Sequence, residues 1–187
     1  MTSTSYSIDS CFMCELRAAR YKIVNGVGPS PCRIMIIGEA PDEREDRTGK
    51  PFEGKAGKVL DLALRKIGAK REDVYLTKVV KCRPPRNRKT TKTERLLCRV
   101  HLDKELAAVK PEQIVLLGKT ATETFLPMTL GSFSPYVGKV HVRDFSYGEV
   151  NLIVGYDPMF INYNPDKMSE FVKTLKTAFT QYINIEK

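Results

Sequence analysis

Four cysteines carry the first chemical signal. Cys11-Phe-Met-Cys14 is a C-x-x-C pair, and Cys82 and Cys98 stand 16 positions apart further on. A fifth, Cys32, precedes an apolar run and reads as a small buried hydrophobe. The odd number, with no secretion signal in MTSTSYSIDS, argues against a disulfide framework. Four thiolates suit either zinc or an iron–sulfur cluster, and spacing alone leaves the two open. A second signal is the run Lys81 to Lys92, KCRPPRNRKTTK, with six positive charges and no negative one. With a net charge of +9, it points to a polyanion facing this loop. A third is the polar stretch after Ile34-Met35-Ile36-Ile37, which carries Glu39, Glu45, Asp46 and Phe52. Connections of roughly twenty residues are uncommon and usually functional.

These groups need elements to position them. Ile34–Ile37, Val74–Thr77 with Val79-Val80, Gln113–Leu117 and Val150–Val154 read as buried strands, and 139–142 as a possible edge strand. Helices are expected over 11–21, from Gly57 to Ile67, over 93–109, around Ala121 and Phe125, and over 169–183. The 93–109 helix is expected to bury Leu96, Leu97, Val100, Leu102, Leu106 and Val109; the last one Phe171, Val172, Leu175, Phe179 and Ile183. Prolines 84 and 85 end the second strand. The alternation implies a three-layer α/β/α fold around a central, mainly parallel four-stranded sheet, in one domain spanning 1–187. Loops at the carboxyl ends of its strands are where a ligand would bind. No apolar run is as long as a membrane span, and a soluble, cytoplasmic monomer is expected.

Three segments together resemble the iron–sulfur (family four) uracil-DNA glycosylases: GEAPDEREDRTGKPFEGKAG at 38–57, TKVVKCRPPRNR at 77–88 with Glu94 and Cys98, and YDPMFINYNP at 156–165. The resemblance runs from Cys11 to about Pro165. It implies a [4Fe–4S] cluster on Cys11, Cys14, Cys82 and Cys98, with zinc the less favoured occupant, pinning the N-terminal segment and the basic loop. It also implies a uracil-DNA glycosylase-like fold and a flipped base held by Gly38, Glu39, Ala40 and Phe52, the last stacking on the base face. DNA would lie along Lys81, Arg83, Arg86, Arg88, Lys89 and Tyr163.

This chain departs from the family at two central positions. Lys78 stands where the family has an Asn that reads the uracil edge; lysine offers donors and no acceptor. Asp157 stands where the family has a His that supports the departing base, and an ionised carboxylate only accepts. Asp42 replaces a glycine, which could alter a positive-φ position. The resemblance with these changes implies a DNA glycosylase of base excision repair acting on uracil or, with a shifted base preference, on another damaged or modified base, using Glu39, Lys78 and Asp157. Lys78 either binds the base or attacks C1′ itself. The competing expectation is a Lys78–Asp157 pair that plugs the pocket, leaving a DNA-binding accessory protein of a repair or replication complex.

Overall fold

The computed structural model describes residues 6–128 and 132–183. Five strands form one sheet in the order β2-β1-β3-β5-β4. β1 (Ile34–Gly38) lies between β2 (Tyr75–Lys78) and β3 (Gln113–Leu117), both parallel to it. β3 continues parallel to β5 (Gly148–Gly155), and β4 (Val140–Phe145) closes that edge antiparallel. The four expected parallel strands are present. The expected edge strand at 139–142 is a fifth full member, joined to β5 through the Ser146-Tyr147 turn.

Alternation along the strands builds two cores. Met35 and Ile37 face one layer with Leu102, Leu106 and Val109 of α3 (Lys92–Val109) and Phe125 of α4 (Lys119–Phe125). Ile34 and Ile36 face the other, with Leu60 and Leu64 of α2 (Lys55–Lys66) and Phe171 and Leu175 of α6 (Met168–Ile183). The expected inward side chain of Ile183 lies outside the described residues. Among the described residues no helix is long and apolar enough to cross a membrane.

Several local expectations are corrected. Residues 11–21 hold a 3-10 turn over Glu15–Ala18 rather than a helix. The stretch after β1 carries its own helix, α1 (Glu43–Thr48), started by a capping box in which Asp42 and Glu45 exchange backbone and side-chain bonds. Asp42 has φ −89°, so no glycine conformation is lost there. Leu96 and Val100 of α3 are exposed, because its inward stripe is Glu94, Cys98, His101, Leu102, Glu105, Leu106 and Val109.

β1 is flanked by β2 on one side and β3 on the other, so successive connections depart in opposite directions and open a crevice at the strands' carboxyl ends. Its walls are built from the loop after β1 and from Asp157, which begins α5 (Pro158–Tyr163) after β5, while Lys78 ends β2 and Gly118 follows β3 at the same edge.

Candidate active site and DNA interface

The crevice is a cleft of about 620 Å³ lined by Glu39, Ala40, Asp42, Gly54, Asp157 and Met159, with Lys55, Lys58, Arg88 and Lys89 also on its walls. Glu39 is held from below and beside. Beneath it, β1 keeps pairing past its end, Val79 N–H donating to Gly38 O at 2.8 Å and Val80 N–H to Glu39 O at 3.0 Å. Its carboxylate Oε1 accepts both the N–H and the hydroxyl of Thr90 at 2.9 Å. The family-like loops thus bring Glu39 and Asp157 to one cleft.

Asp157 caps α5, accepting the Met159 N–H at 2.7 Å. Burial pushes its carboxyl above the usual range; the neighbouring Glu39 charge adds to this, while the Met159 and Phe160 N–H groups and Lys78 oppose it. An acid so raised keeps its proton to higher pH and can donate where an ionised carboxylate could only accept.

Lys78 and Phe52 are placed differently from expectation. Lys78 does not pair with Asp157: its Nζ lies 3.0 Å from Glu45 Oε1, with side chains 6% and 1% exposed. The same Nζ sits 3.9 Å from the Phe52 ring centroid. Neither Lys78 nor Phe52 lines the cleft, and Phe52 is 1% exposed. Its ring packs with Val59 and Leu60, and its free face is covered by Lys78. The Phe52 backbone adopts φ +58°, unusual for a non-glycine residue. It is held by Glu45, which accepts its N–H, and by Arg71, which donates to its carbonyl. Gly57 is required there, since a Cβ would fall on the Phe52 carbonyl. Gly38 likewise has Phe52 Cζ and Lys78 Nζ at 3.0 and 3.3 Å from where a Cβ would stand.

Sequence reasoning noted Glu45 and missed its role. Its Oε2 accepts the Asp42 N–H at 2.6 Å while Oε1 serves Phe52 and Lys78. The Asp42-x-x-Glu45 spacing was the available signal. Thr90, which fixes Glu39, and Met159, on the cleft wall, gave no signal of their own.

On the basic loop, Arg86, Arg88 and Lys89 are exposed. Arg83 is half-buried, donating to Asn87 Oδ1 at 2.7 Å and lying 3.7 Å from Glu43. Arg88 makes a two-pronged bond to Glu94, at 3.0 and 2.6 Å, which lowers the Glu94 pKa and raises its own. Lys81 is a correction: it is 1% exposed, with Nζ 2.6 Å from both Glu105 Oε2 and Thr77 Oγ1, so it faces the core rather than DNA. Tyr163 is 73% exposed at the end of α5, beside the stacked pair Tyr156–Phe160.

The four cysteines of the expected ligand set come from the N-terminal segment, the loop after β2 and α3. All are free thiols, and the charges of Cys11, Cys14 and Cys82 act on one another or on Cys98, which places the four in one neighbourhood. Burial pushes the Cys98 thiol up to about 11 and raises Cys82. Three of the sulfurs are met by nitrogen groups: Arg20 donates to Cys82 at 3.2 Å, the Lys81 N–H to Cys98 at 3.3 Å, and His101 Nε2 lies 3.2 Å from Cys11. Among the described residues no three His, Cys, Asp or Glu side chains are spaced to hold an ion. The donor chemistry, four soft sulfurs with N–H groups donating to Cys82 and Cys98, fits a thiolate-bound cluster.

The family description "Uracil DNA glycosylase superfamily" matches residues 25–180. A type-4 uracil-DNA glycosylase of Archaeoglobus fulgidus is 38% identical over 172 residues, 90% of this chain and 86% of that protein. A type-4 enzyme of Pyrobaculum aerophilum is 34% identical over 92% of this chain and 89% of its own length. A type-5 uracil-DNA glycosylase of the same organism is 30% identical over 79% of this chain and 70% of its own. A crevice built on Glu39 and Asp157, a cysteine quartet and a cationic loop agree with this similarity, and the chain belongs to the uracil DNA glycosylase superfamily, where it resembles the type-4 enzymes.

Proposed function

We propose that this protein is a DNA N-glycosylase of base excision repair that hydrolyses the N-glycosidic bond of a flipped, damaged or modified base, with a preference moved away from uracil. The single observation that supports it most is the open cleft between Glu39 and the raised acid Asp157, walled by Arg88, Lys89, Lys55 and Lys58. A duplex base cannot reach such a floor without leaving the stack, so the base enters extruded while its phosphates meet the cations. Glu39, steadied by Thr90, orients and polarises the water that attacks C1′. Asp157, whose carboxyl burial holds above its usual range, donates in its protonated form to the departing base and so removes the charge that would otherwise develop on it. Arg83, Arg86, Arg88, Lys89 and Tyr163 line the path of the strand; Lys81 does not.

Cys11, Cys14, Cys82 and Cys98 would hold a [4Fe–4S] cluster, which ties the N-terminal segment to the base of the cationic loop. The tie already has polar stitches: Arg20 bonds Cys82 and the Cys11 carbonyl, and Asp46 accepts the Tyr21 and Lys22 N–H groups at 3.0 and 3.3 Å. Colourless protein carrying stoichiometric zinc after anaerobic purification would replace iron with zinc in this assignment.

The test is a panel of oligonucleotides, each with one altered base, scored for abasic sites. At least one base is expected to be released, and Glu39→Gln should slow that release by about 10² or more, the scale of one lost general base. One specific observation favours a second reading: the Phe52 face is filled by Lys78. Normal DNA binding with no release from any member of the panel would make the chain a DNA-binding accessory instead.

A further inference from the structure

The end of β2 and the start of the loop after β1 sit in register, with Gly38 opposite Lys78. What fills the space above Gly38 is not solvent. Lys78 Cδ and Nζ lie 3.2 and 3.3 Å from the position a Gly38 Cβ would take, and Phe52 Cζ lies 3.0 Å from it. A planar base stacking on Phe52 would need the volume that Lys78 Nζ occupies 3.9 Å from the ring centroid. Lys78 is also not free to swing away. Its partner Glu45 is anchored at both oxygens, by the Asp42 N–H on one and the Phe52 N–H on the other. Withdrawing Lys78 would leave that carboxylate buried and without its cation, a costly state.

Resting on the glycosylase reading above, we infer that Lys78, clamped by Glu45, is a specificity-determining residue that bars the Phe52 face to small planar pyrimidines such as uracil. Bases that dock against the Glu39–Asp157 floor without using that face remain admissible. Because carboxyl oxygens line that floor, such bases are those that present N–H donors to it.

The test measures binding rather than turnover. Single-stranded oligonucleotides carrying either 2′-fluoro-deoxyuridine, which resists hydrolysis, or thymidine at one position are titrated by fluorescence anisotropy. The wild-type protein is expected to bind both equally. Lys78→Asn should favour the uracil strand by about tenfold or more, the scale of one base–aromatic stack. Lys78→Met, which keeps the bulk without the charge, should stay at parity. If Lys78→Asn folds poorly by circular dichroism, the double variant Lys78→Asn/Glu45→Gln removes the stranded carboxylate charge and should show the same preference.

A wild-type protein that already prefers the uracil strand overturns the inference, as does a folded Lys78→Asn form, single or double, that remains at parity. A preference gained by Lys78→Met also overturns it, because bulk would then not be what bars the face. Failure of the two proposals is distinguishable. Release of some other base by the wild type, with no uracil preference gained at position 78, removes the lock and leaves the glycosylase. A gained preference in a chain that releases nothing on the base panel removes the glycosylase and leaves the lock.

Discussion

The buried pair Lys81–Glu105 gives the most quantitative prediction. Lys81 is 1% and Glu105 0% exposed, and Glu105 also accepts the Gly26 N–H at 3.1 Å and the Thr77 hydroxyl at 2.7 Å. Glu105→Leu severs a buried ion pair, which costs roughly 3–5 kcal/mol. It also leaves the Gly26 N–H without its acceptor, at about 1 kcal/mol or more. The total, about 4–6 kcal/mol, approaches the whole stability of a marginal domain, for which about 5–15 kcal/mol is usual. In a chain of this length each kcal/mol moves the melting temperature by about 2–4 °C, so a fall of order 10–20 °C is expected. Lys81→Met/Glu105→Leu removes both charges and should recover about 2–4 kcal/mol of the loss. Urea unfolding followed by far-UV circular dichroism and tyrosine fluorescence reads this out, the chain having 8 tyrosines and no tryptophan. A single-variant loss below about 1 kcal/mol, or a double variant no better than the sum of the singles, would refute the claim that the pair is a coupled, desolvated unit.

Three further outcomes are expected. Asp157 has a folded pKa above its unfolded value, so base release that uses its proton should fall as pH rises through that raised value, and Asp157→Asn should flatten this limb of the rate profile. By the same linkage, stability contributed by Asp157 is complete below the ordinary carboxylate range and lost above the raised value; Asp157→Asn, which can still cap α5, should make urea stability less pH-dependent there. Serine at Cys11, Cys14, Cys82 or Cys98 should deplete iron and acid-labile sulfide per chain, whereas Cys32→Ser, whose thiol bonds the Ile34 carbonyl at 3.3 Å, should not. Lys89→Ala should reduce the slope of log affinity for DNA against log salt by about 1, while Lys81→Met should leave it unchanged.

The strands β1, β3 and β5 were legible as short apolar runs because both of their faces are buried. The alternation of strands and helices was enough to give the layered fold. α1 was not legible from periodicity, since EREDRT has no apolar stripe; only its capping box marks it. The burial of α3 was misread at Leu96 and Val100 because its inward face carries polar residues with partners elsewhere. Glu94 serves Arg88, Glu105 serves Lys81, and His101 lies against Cys11. Lys81 was taken for one more cation of the loop, and its true partner lies 24 positions away, beyond any local pattern. Glu39 and Asp157 were found through the resemblance, and the structure brings them to one cleft. Lys78 and Phe52 were singled out too, but the pairing with Glu45 that turns Lys78 into a cover for the ring depends on contacts between three separate segments.

That Glu45 both starts α1 and grips Lys78 couples the first turn of that helix to the carboxyl end of β2. Taking the cation from position 78 would leave the Glu45 carboxylate buried without its counter-charge, so the helix start and the cover over the ring answer to each other. A substitution at position 78 is therefore felt at the first turn of α1 as well as at the Phe52 ring.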